Sequence, residues 1–549
     1  MKNRALLERS VLICAGLVTI TASPFWSFDA FNIPKLFTLS VAACALILML
    51  SREDIRVLVK KNKLYTGTLV FLFFDLCFVL ISNNTNLIEQ FFGTFGRNTG
   101  FLTIVCFSIF ALVGTVLAQS DFLSKTTSAL LIVGLIDAVY GFIQSVGLDP
   151  FGWTNPYSPV FGFFGNPNFH SSFQAMCAIC SASLLFDSRI NLKRKMYLSL
   201  LFVVFILNIW QSKSIQGYLV LGISVMFLVT ILVGKSNLKR LIRIPIYIFQ
   251  TILGLATILD IFQKVPWTPV LYKASVSSRG DFWHSGLQML IHKPINGFGL
   301  DNYGDWYNFY RTAESIKERG ANVASNSAHN VFLDYGSNGG LPLMLAYLLI
   351  MSLTILAMIK VFRRDSKLNV NFLALSGVWV AFQAQSIISI NQIGLSIWGW
   401  LLTGIIIGYE KFDSNEEQNK IRLTNKKNNL NFLLRGAVGA TLGLIIALPP
   451  FLSDASYRSA IDSQIADQVK SSAYKWPRNT DRMVLASAAF ADNNLPAESL
   501  LIARDVLRIN PRKIQAWRLI LQNSTSTSQE KSSALKNLQM LDPNNPEYK

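Results

Sequence analysis

One polar stretch organises the reading of this chain. It opens with Ser277-Ser278-Arg279-Gly280-Asp281-Phe282-Trp283 and passes through Pro294-Ile295-Asn296-Gly297-Phe298-Gly299. It closes with Ser327-Ala328-His329-Asn330-Val331-Phe332-Leu333-Asp334-Tyr335-Gly336, followed by Gly339 and Gly340. Apolar runs flank it at 244–262 and 330–360. A loop that holds Arg, His, Asp and Trp together between apolar runs points to chemistry at a membrane surface. A pure anchor has no use for it.

Outward from the loop, the whole chain is apolar. Of 549 residues 51% are hydrophobic and only 15% are charged, which suits a polytopic membrane protein and not a soluble globule. A spanning helix needs about 20 mostly apolar residues, and about thirteen segments qualify. They are 10–28, 35–50, 64–82, 100–118, 127–146, 168–187, 197–211, 214–234, 244–262, 330–360, 370–389, 393–409 and 432–451. The predicted fold is all-α: a bundle of about thirteen transmembrane helices with a large outer loop. The first segment follows Met1-Lys2-Asn3-Arg4, as a signal peptide would. It lacks a small-residue cleavage site and further spans follow, so it reads as a retained helix.

The net charge of +18 does not imply nucleic acid. The basic residues gather in alternate loops, as the positive-inside rule requires. Clusters at Lys2–Arg9, Arg52–Lys63, Arg189–Lys195, Lys235–Arg243, Lys360–Lys367 and Lys411–Lys427 are predicted to be cytoplasmic. The short outer loops hold Lys35, Arg97 and Lys213, and the long loop holds its own basic residues from Lys264 to Arg319. An odd number of spans with the N-terminus inside puts the C-terminus outside. The six cysteines all fall in predicted spans, so no disulfide framework is expected, and Cys177-x-x-Cys180 reads as packing in an apolar helix.

The bundle occupies residues 1–452, with the outer loop at 264–329, and residues 453–549 form a polar tail with amphipathic helical patterning. Ala497–Pro511 looks like the second helix of a tetratricopeptide repeat with its exit turn, and Ala534–Asn544 repeats the pattern. Such repeats stack helix pairs and present a groove.

Each polar motif has a structural and a chemical reading. Arg279 offers a planar fork suited to phosphate. With Asp281 and Trp283 it could equally frame the loop, and Trp283 could serve a sugar or the interface. His329-Asn330 sits where loop meets span, and a histidine there can take a proton near neutral pH. The glycines and Pro342 beyond it predict a broken backbone, which membrane depth tolerates beside a cavity. Arg97, in Phe95-Gly96-Arg97-Asn98-Thr99-Gly100, is a phosphate ligand or a snorkelling end residue. Asn166 and Asn168, in Gly165-Asn166-Pro167-Asn168-Phe169-His170, cap a helix or bind sugar; His170 reads as structural. Lys213 faces an outer cavity or marks a turn. Asp75, Asp137 and Asp260 lie within spans and would be central to a transport reading. The chain has no phosphate-binding Gly-rich loop, no His-Glu-x-x-His and no Asp-x-Asp pair for a metal-bound nucleotide sugar.

Arg279 to Gly299, then His329-Asn330 with Gly336 and Gly339, resembles the signature domain shared by O-antigen ligases, O-antigen polymerases and bacterial protein O-oligosaccharyltransferases. Gly96-Arg97-Asn98-Thr99-Gly100 and Asn166-Pro167-Asn168 match elements that this superfamily carries earlier in the chain, and the likeness covers roughly 60–410. The resemblance implies an inner-membrane enzyme that moves a glycan from an undecaprenyl-diphosphate carrier to an acceptor hydroxyl at the periplasmic face, without metal or other cofactor. It implies a catalytic role for His329 and diphosphate binding for Arg279 and Arg97. Where many members have Ser-Arg-Gly, this chain has Ser214-Ile215-Gln216-Gly217, so a third arginine is missing and Lys213 is the stand-in. The acceptor is left open among lipid A core, glycan and protein. The rivals are a small-anion transporter and a scaffold whose working part is the tail.

Overall fold

The computed structural model describes residues 2–83, 85–153, 158–261, 274–412 and 429–549. Among them every regular element is helical. Each predicted span coincides with a helix. Eight of these helices are long and apolar enough to cross a membrane: Asn32–Met49, Lys63–Ser82, Ser120–Ser145, Ile215–Lys235, Val331–Arg364, Val370–Ile388, Ile393–Glu410 and the apolar part of Asn429–Ser463. Phe101–Leu117 is apolar but shorter, and Lys2–Ile20, Pro167–Leu184, Leu192–Gln211 and Arg240–Ile261 complete the set. The chain is a multi-pass helical membrane protein.

Two boundaries differ from the prediction. The first helix is Lys2–Ile20, not 10–28. Pro24 lacks the N–H that a continuing helix needs, and residues beyond Ile20 turn back. There the Asp29 carboxylate accepts from the N–H groups of Phe31 at 3.1 Å and Asn32 at 3.0 Å, at the start of the next helix. The second difference is at the predicted domain boundary. The Asn429–Ser463 helix runs on past residue 452 through Pro449 and Pro450 into the tail. Residues 264–273 of the long loop, with Lys264 and Lys273, lie outside the described residues, as do 413–428 of a basic cluster and the side chain of Asp260.

Close approach of small residues marks one tight contact in the bundle. Ile393–Glu410 packs along Phe101–Leu117, where Gly404 and Gly408 sit against the backbone of Ala111 and Thr115. Side-chain-free backbone lets such helices meet closely in a bilayer. Asp137, unpaired in the sequence, accepts from Gln174 Nε2 at 2.8 Å and lies 2.8 Å from His170 Nδ1, all buried. Cys177 and Cys180 are fully buried in the apolar core.

The described part of the long loop is itself helical: Ala274–His292, Gly304–Tyr310 and Ala313–Arg319. It is sewn into the break in the Val331–Arg364 helix. Gly340 has φ 78° and ψ −175°, a conformation that L side chains rarely adopt, and a Cβ there would strike the Ile295 carbonyl. The opened backbone bonds the loop instead. Leu341 N–H donates to Pro294 O at 2.6 Å, Phe298 N–H to Ser337 O at 3.0 Å and Gly299 N–H to Asn338 O at 2.9 Å. Irregular backbone is tolerated there because these freed groups find partners in the loop.

The tail forms two helix pairs, Thr480–Asp492 with Pro496–Ile509 and Ile514–Gln522 with Ser528–Leu541. The two repeat-like stretches lie on the second helix of each pair. The tail docks on the face that carries the long loop. Asp454 accepts from Phe28 N–H at 2.8 Å, and Glu89 accepts from Thr480 N–H at 2.6 Å and its hydroxyl at 2.7 Å.

Candidate active site

The loop, the bundle ends and the tail enclose a cavity of about 720 Å³. Arg97, Arg279, His329, Lys213, Asn166 and Asn168 all line it. Asp281, Trp283 and Asn330 do not line it; they hold up its wall. Asp281 pairs with Arg319 at 2.5 Å. The Trp283 indole N–H donates to the His329 carbonyl at 3.4 Å, and Asn330 caps the Val331–Arg364 helix by accepting from Leu333 N–H at 3.1 Å.

Arg97 sits in a turn organised from a distance. Asp301 accepts from Thr94 N–H at 2.8 Å, Thr99 N–H at 3.1 Å and the Thr99 hydroxyl at 3.0 Å. The guanidinium then donates twice to Asn326 Oδ1, from Nε at 2.9 Å and Nη2 at 2.5 Å. Both donors fall on one neutral oxygen, so its positive charge is not cancelled there. Burial holds its pKa below the usual arginine value, against the opposing pull of Asp301 and Asp334.

Arg279 is 5% exposed. Nη2 donates to Gln216 Oε1 at 3.1 Å, and Nε is buried with no hydrogen-bond partner. Burial brings its pKa down to about 10, so it stays charged at neutral pH. A buried cation with a neutral partner and an unbonded N–H is suited to hold an anion, since buried charges are normally paired. Gln216 belongs to the stretch Ser214-Ile215-Gln216-Gly217, which lacks a third arginine. Here it fixes Arg279 and also donates to the Ser172 hydroxyl at 3.0 Å. Lys213 is exposed beside it in a left-handed turn with φ 54°.

His329 also has a left-handed backbone, with φ 52°. The strain is held by its surroundings. Asp334 accepts from the Ser327 hydroxyl and Ala328 N–H, both at 2.7 Å, and Ser327 Oγ accepts from His329 N–H at 3.0 Å. The ring stacks on Phe282 with centroids 5.1 Å apart. Burial, helped by the charges of Arg97 and Arg279, pushes its pKa down to about 3. The imidazole is therefore neutral at neutral pH.

Asn166 caps the Pro167–Leu184 helix, accepting from Asn168 N–H at 2.8 Å, and Asn168 Oδ1 accepts from the Ser214 hydroxyl at 2.6 Å. Both therefore frame the bundle's side of the cavity.

The sequence reading missed Gln216, Asn326, Asp301 and Asp334 as supports. It also missed that the tail lines the cavity, through Asp481, Asn510 and residues 512–515. Only the repeat pattern hinted at a groove-presenting tail. Nothing in it showed where the groove would face.

Comparison with known proteins agrees with the geometry. A search of curated proteins finds no match to the chain. Residues 175–348 match the family model described as O-antigen ligase, a segment that holds Gln216, Arg279 and His329. The match does not reach the tail. The helical membrane bundle, with two arginines and a histidine lining one cavity, thus contains an O-antigen ligase family segment at residues 175–348.

Proposed function

We propose that the protein transfers a glycan from an undecaprenyl-diphosphate carrier to an acceptor hydroxyl, at the outer face of the bacterial inner membrane. The observation that carries this reading is the convergence of Arg97, Arg279 and His329 on one cavity, with Arg279 carrying an unbonded N–H. Arg279 and Arg97 hold the diphosphate and stabilise the charge that grows on it as the sugar leaves. His329 takes the proton of the acceptor hydroxyl. The hydroxyl oxygen forms the new bond to the anomeric carbon, and the carbon–oxygen bond to the diphosphate breaks. Attack comes from the side away from the leaving group, so the anomeric centre inverts.

The diphosphate is already an activated leaving group, so the reaction needs neither nucleotide nor metal. The N-terminus is cytoplasmic, and the tail lies outside with the loop. The acceptor is a lipid A core, a glycan chain or a protein. The test is to incubate purified protein with a lipid-diphosphate glycan and an acceptor, with and without chelator. Release of free lipid diphosphate coupled to acceptor modification supports the reading. Its absence over a range of acceptors removes the reading and leaves the anion-transport alternative, which uses the same arginines.

A further inference from the structure

We propose that the tail carries a carbohydrate subsite on the wall of this cavity, built from its own Arg512 and Gln515 together with Asn308 of the long loop. The inference rests on the glycosyl-transfer reading and extends it to residues outside the family match.

The tail is fixed at the cavity by directional contacts centred on Asp305. Asn510 Nδ2 donates to Asp305 Oδ2 at 2.5 Å, and Arg512 Nε donates to the Asp305 carbonyl at 3.2 Å. The Arg512 guanidinium lies 3.2 Å from the ring centre of Trp306, a cation–π contact. Lys513 Nζ lies 2.6 Å from Asp481 and 3.5 Å from Asp305. That lysine's charge is compensated within the protein and is not available to a ligand.

What is left over on this wall is a mixture of donors and acceptors. Arg512 Nη2 and Asn308 Oδ1 are buried without hydrogen-bond partners, and Asn308 is 6% exposed. Gln515 is exposed, lines the cavity and makes no hydrogen bond to a described residue. Asp305 and Asn308 are three residues apart on the Gly304–Tyr310 helix, so they neighbour each other on its surface. Asn308 therefore lies next to the seam where the tail docks.

The chemistry of these leftovers selects the ligand. A phosphate offers acceptors only, and the carbonyl oxygen of Asn308 would face it without a proton between them. Sugar hydroxyls donate and accept, which suits amides and a guanidinium together. Position agrees. Arg279 and the tail residues line the same cavity, so a glycan whose diphosphate is held at Arg279 can reach this wall. Sugar hydroxyls reach this wall from either the donor glycan or a glycan acceptor.

The experiment uses the full chain in detergent, with Gln515→Ala and Arg512→Lys. Arg512→Lys keeps the charge, and Gln515→Ala removes a side chain that bonds to no described residue. A panel of neutral oligosaccharides and, separately, inorganic diphosphate are titrated against each variant. Each variant should weaken oligosaccharide binding about three- to tenfold, the worth of one lost hydrogen bond, and should leave diphosphate binding unchanged; Gln515→Ala, which removes no docking contact, should also leave the protease resistance of the tail unchanged. Unchanged oligosaccharide affinity in both variants, failure of the unmodified protein to bind any of the panel, or loss of diphosphate binding instead would each overturn the subsite. Turnover then assigns the source. A raised KM for the lipid-linked donor alone places the donor glycan here, and a raised KM for the acceptor alone places the acceptor. If the unmodified protein binds oligosaccharide but releases no lipid diphosphate, the transfer reading fails while the subsite stands.

Discussion

Arg311 and Asp542 form a two-point ion pair, Nε to Oδ1 at 3.0 Å and Nη2 to Oδ2 at 2.5 Å, with both side chains buried. Each residue ends a helix, Arg311 that of Gly304–Tyr310 in the loop and Asp542 that of Ser528–Leu541 in the tail. The pair thus joins two helix ends from distant parts of the chain. Arg311 also donates to the carbonyls of Val323 and Ala321, both at 2.9 Å, so it braces the strand of loop leading to His329.

Breaking this pair from one side should release the tail. Arg311→Ala strands a buried carboxylate, which costs about 3–5 kcal/mol. Limited proteolysis of the full chain should then cleave the tail faster, and double replacement by Met and Leu should recover much of the resistance. Equal cleavage rates for Arg311→Ala and the unmodified protein would show that the pair does not hold the tail.

His329→Ala should abolish glycan transfer, a loss of about 10²–10⁴-fold if general-base catalysis is what it supplies. Expression and protease resistance should not change. Turnover near the unmodified rate would remove the base assignment.

Arg279→Lys keeps the charge but gives up the fork that reaches both Gln216 and an anion. The expected loss in kcat/KM is about 1–3 kcal/mol, the worth of a charge-assisted hydrogen bond. Arg97→Lys should lose its pair of hydrogen bonds to Asn326 and fall similarly. If Lys and Ala replacements at both sites were harmless, the diphosphate role would fail.

The pH profile follows from His329. Its pKa in the free protein is depressed to about 3 by burial and by Arg97 and Arg279, so the neutral base persists well below the ordinary histidine range of about 6.5. kcat/KM, which reports the free enzyme, should therefore show no histidine-like fall between about pH 7 and pH 5. A bound diphosphate offsets the two arginines and favours the imidazolium, so the acid limb of kcat should lie at higher pH than that of kcat/KM. The reverse order of the two limbs would contradict the assignment.

Topology is checked by a reporter fused at Lys549. It should read as extracytoplasmic, on the side of the long loop. A cytoplasmic signal would place both the tail and the loop it docks on inside the cell, and would overturn the proposed site of transfer.

The spans were legible because a helix crossing hydrocarbon must be apolar along about 20 residues, a local property that needs no knowledge of neighbours. The first span slipped toward the C-terminus because hydropathy discounts Lys2, Arg4, Glu8 and Arg9, while the helix runs from Lys2 to Ile20. The pair Lys125–Glu8, at 2.6 Å, shows how those charges are accommodated. The break at Gly340 was legible as well, from three glycines and a proline within a few residues.

By itself the sequence determined an all-helical membrane bundle, the polar loop and the candidates Arg97, Arg279 and His329 in its outer segments, since each follows from residue type and local order. Only the tertiary structure decided that Gln216 holds Arg279, that Asn326 and Asp301 set Arg97, and that Asn510 and residues 512–515 of the tail line the same cavity. Those supports are ordinary amides and carboxylates. What they do depends on which partner comes within hydrogen-bond reach across hundreds of residues, and folding alone brings those partners together.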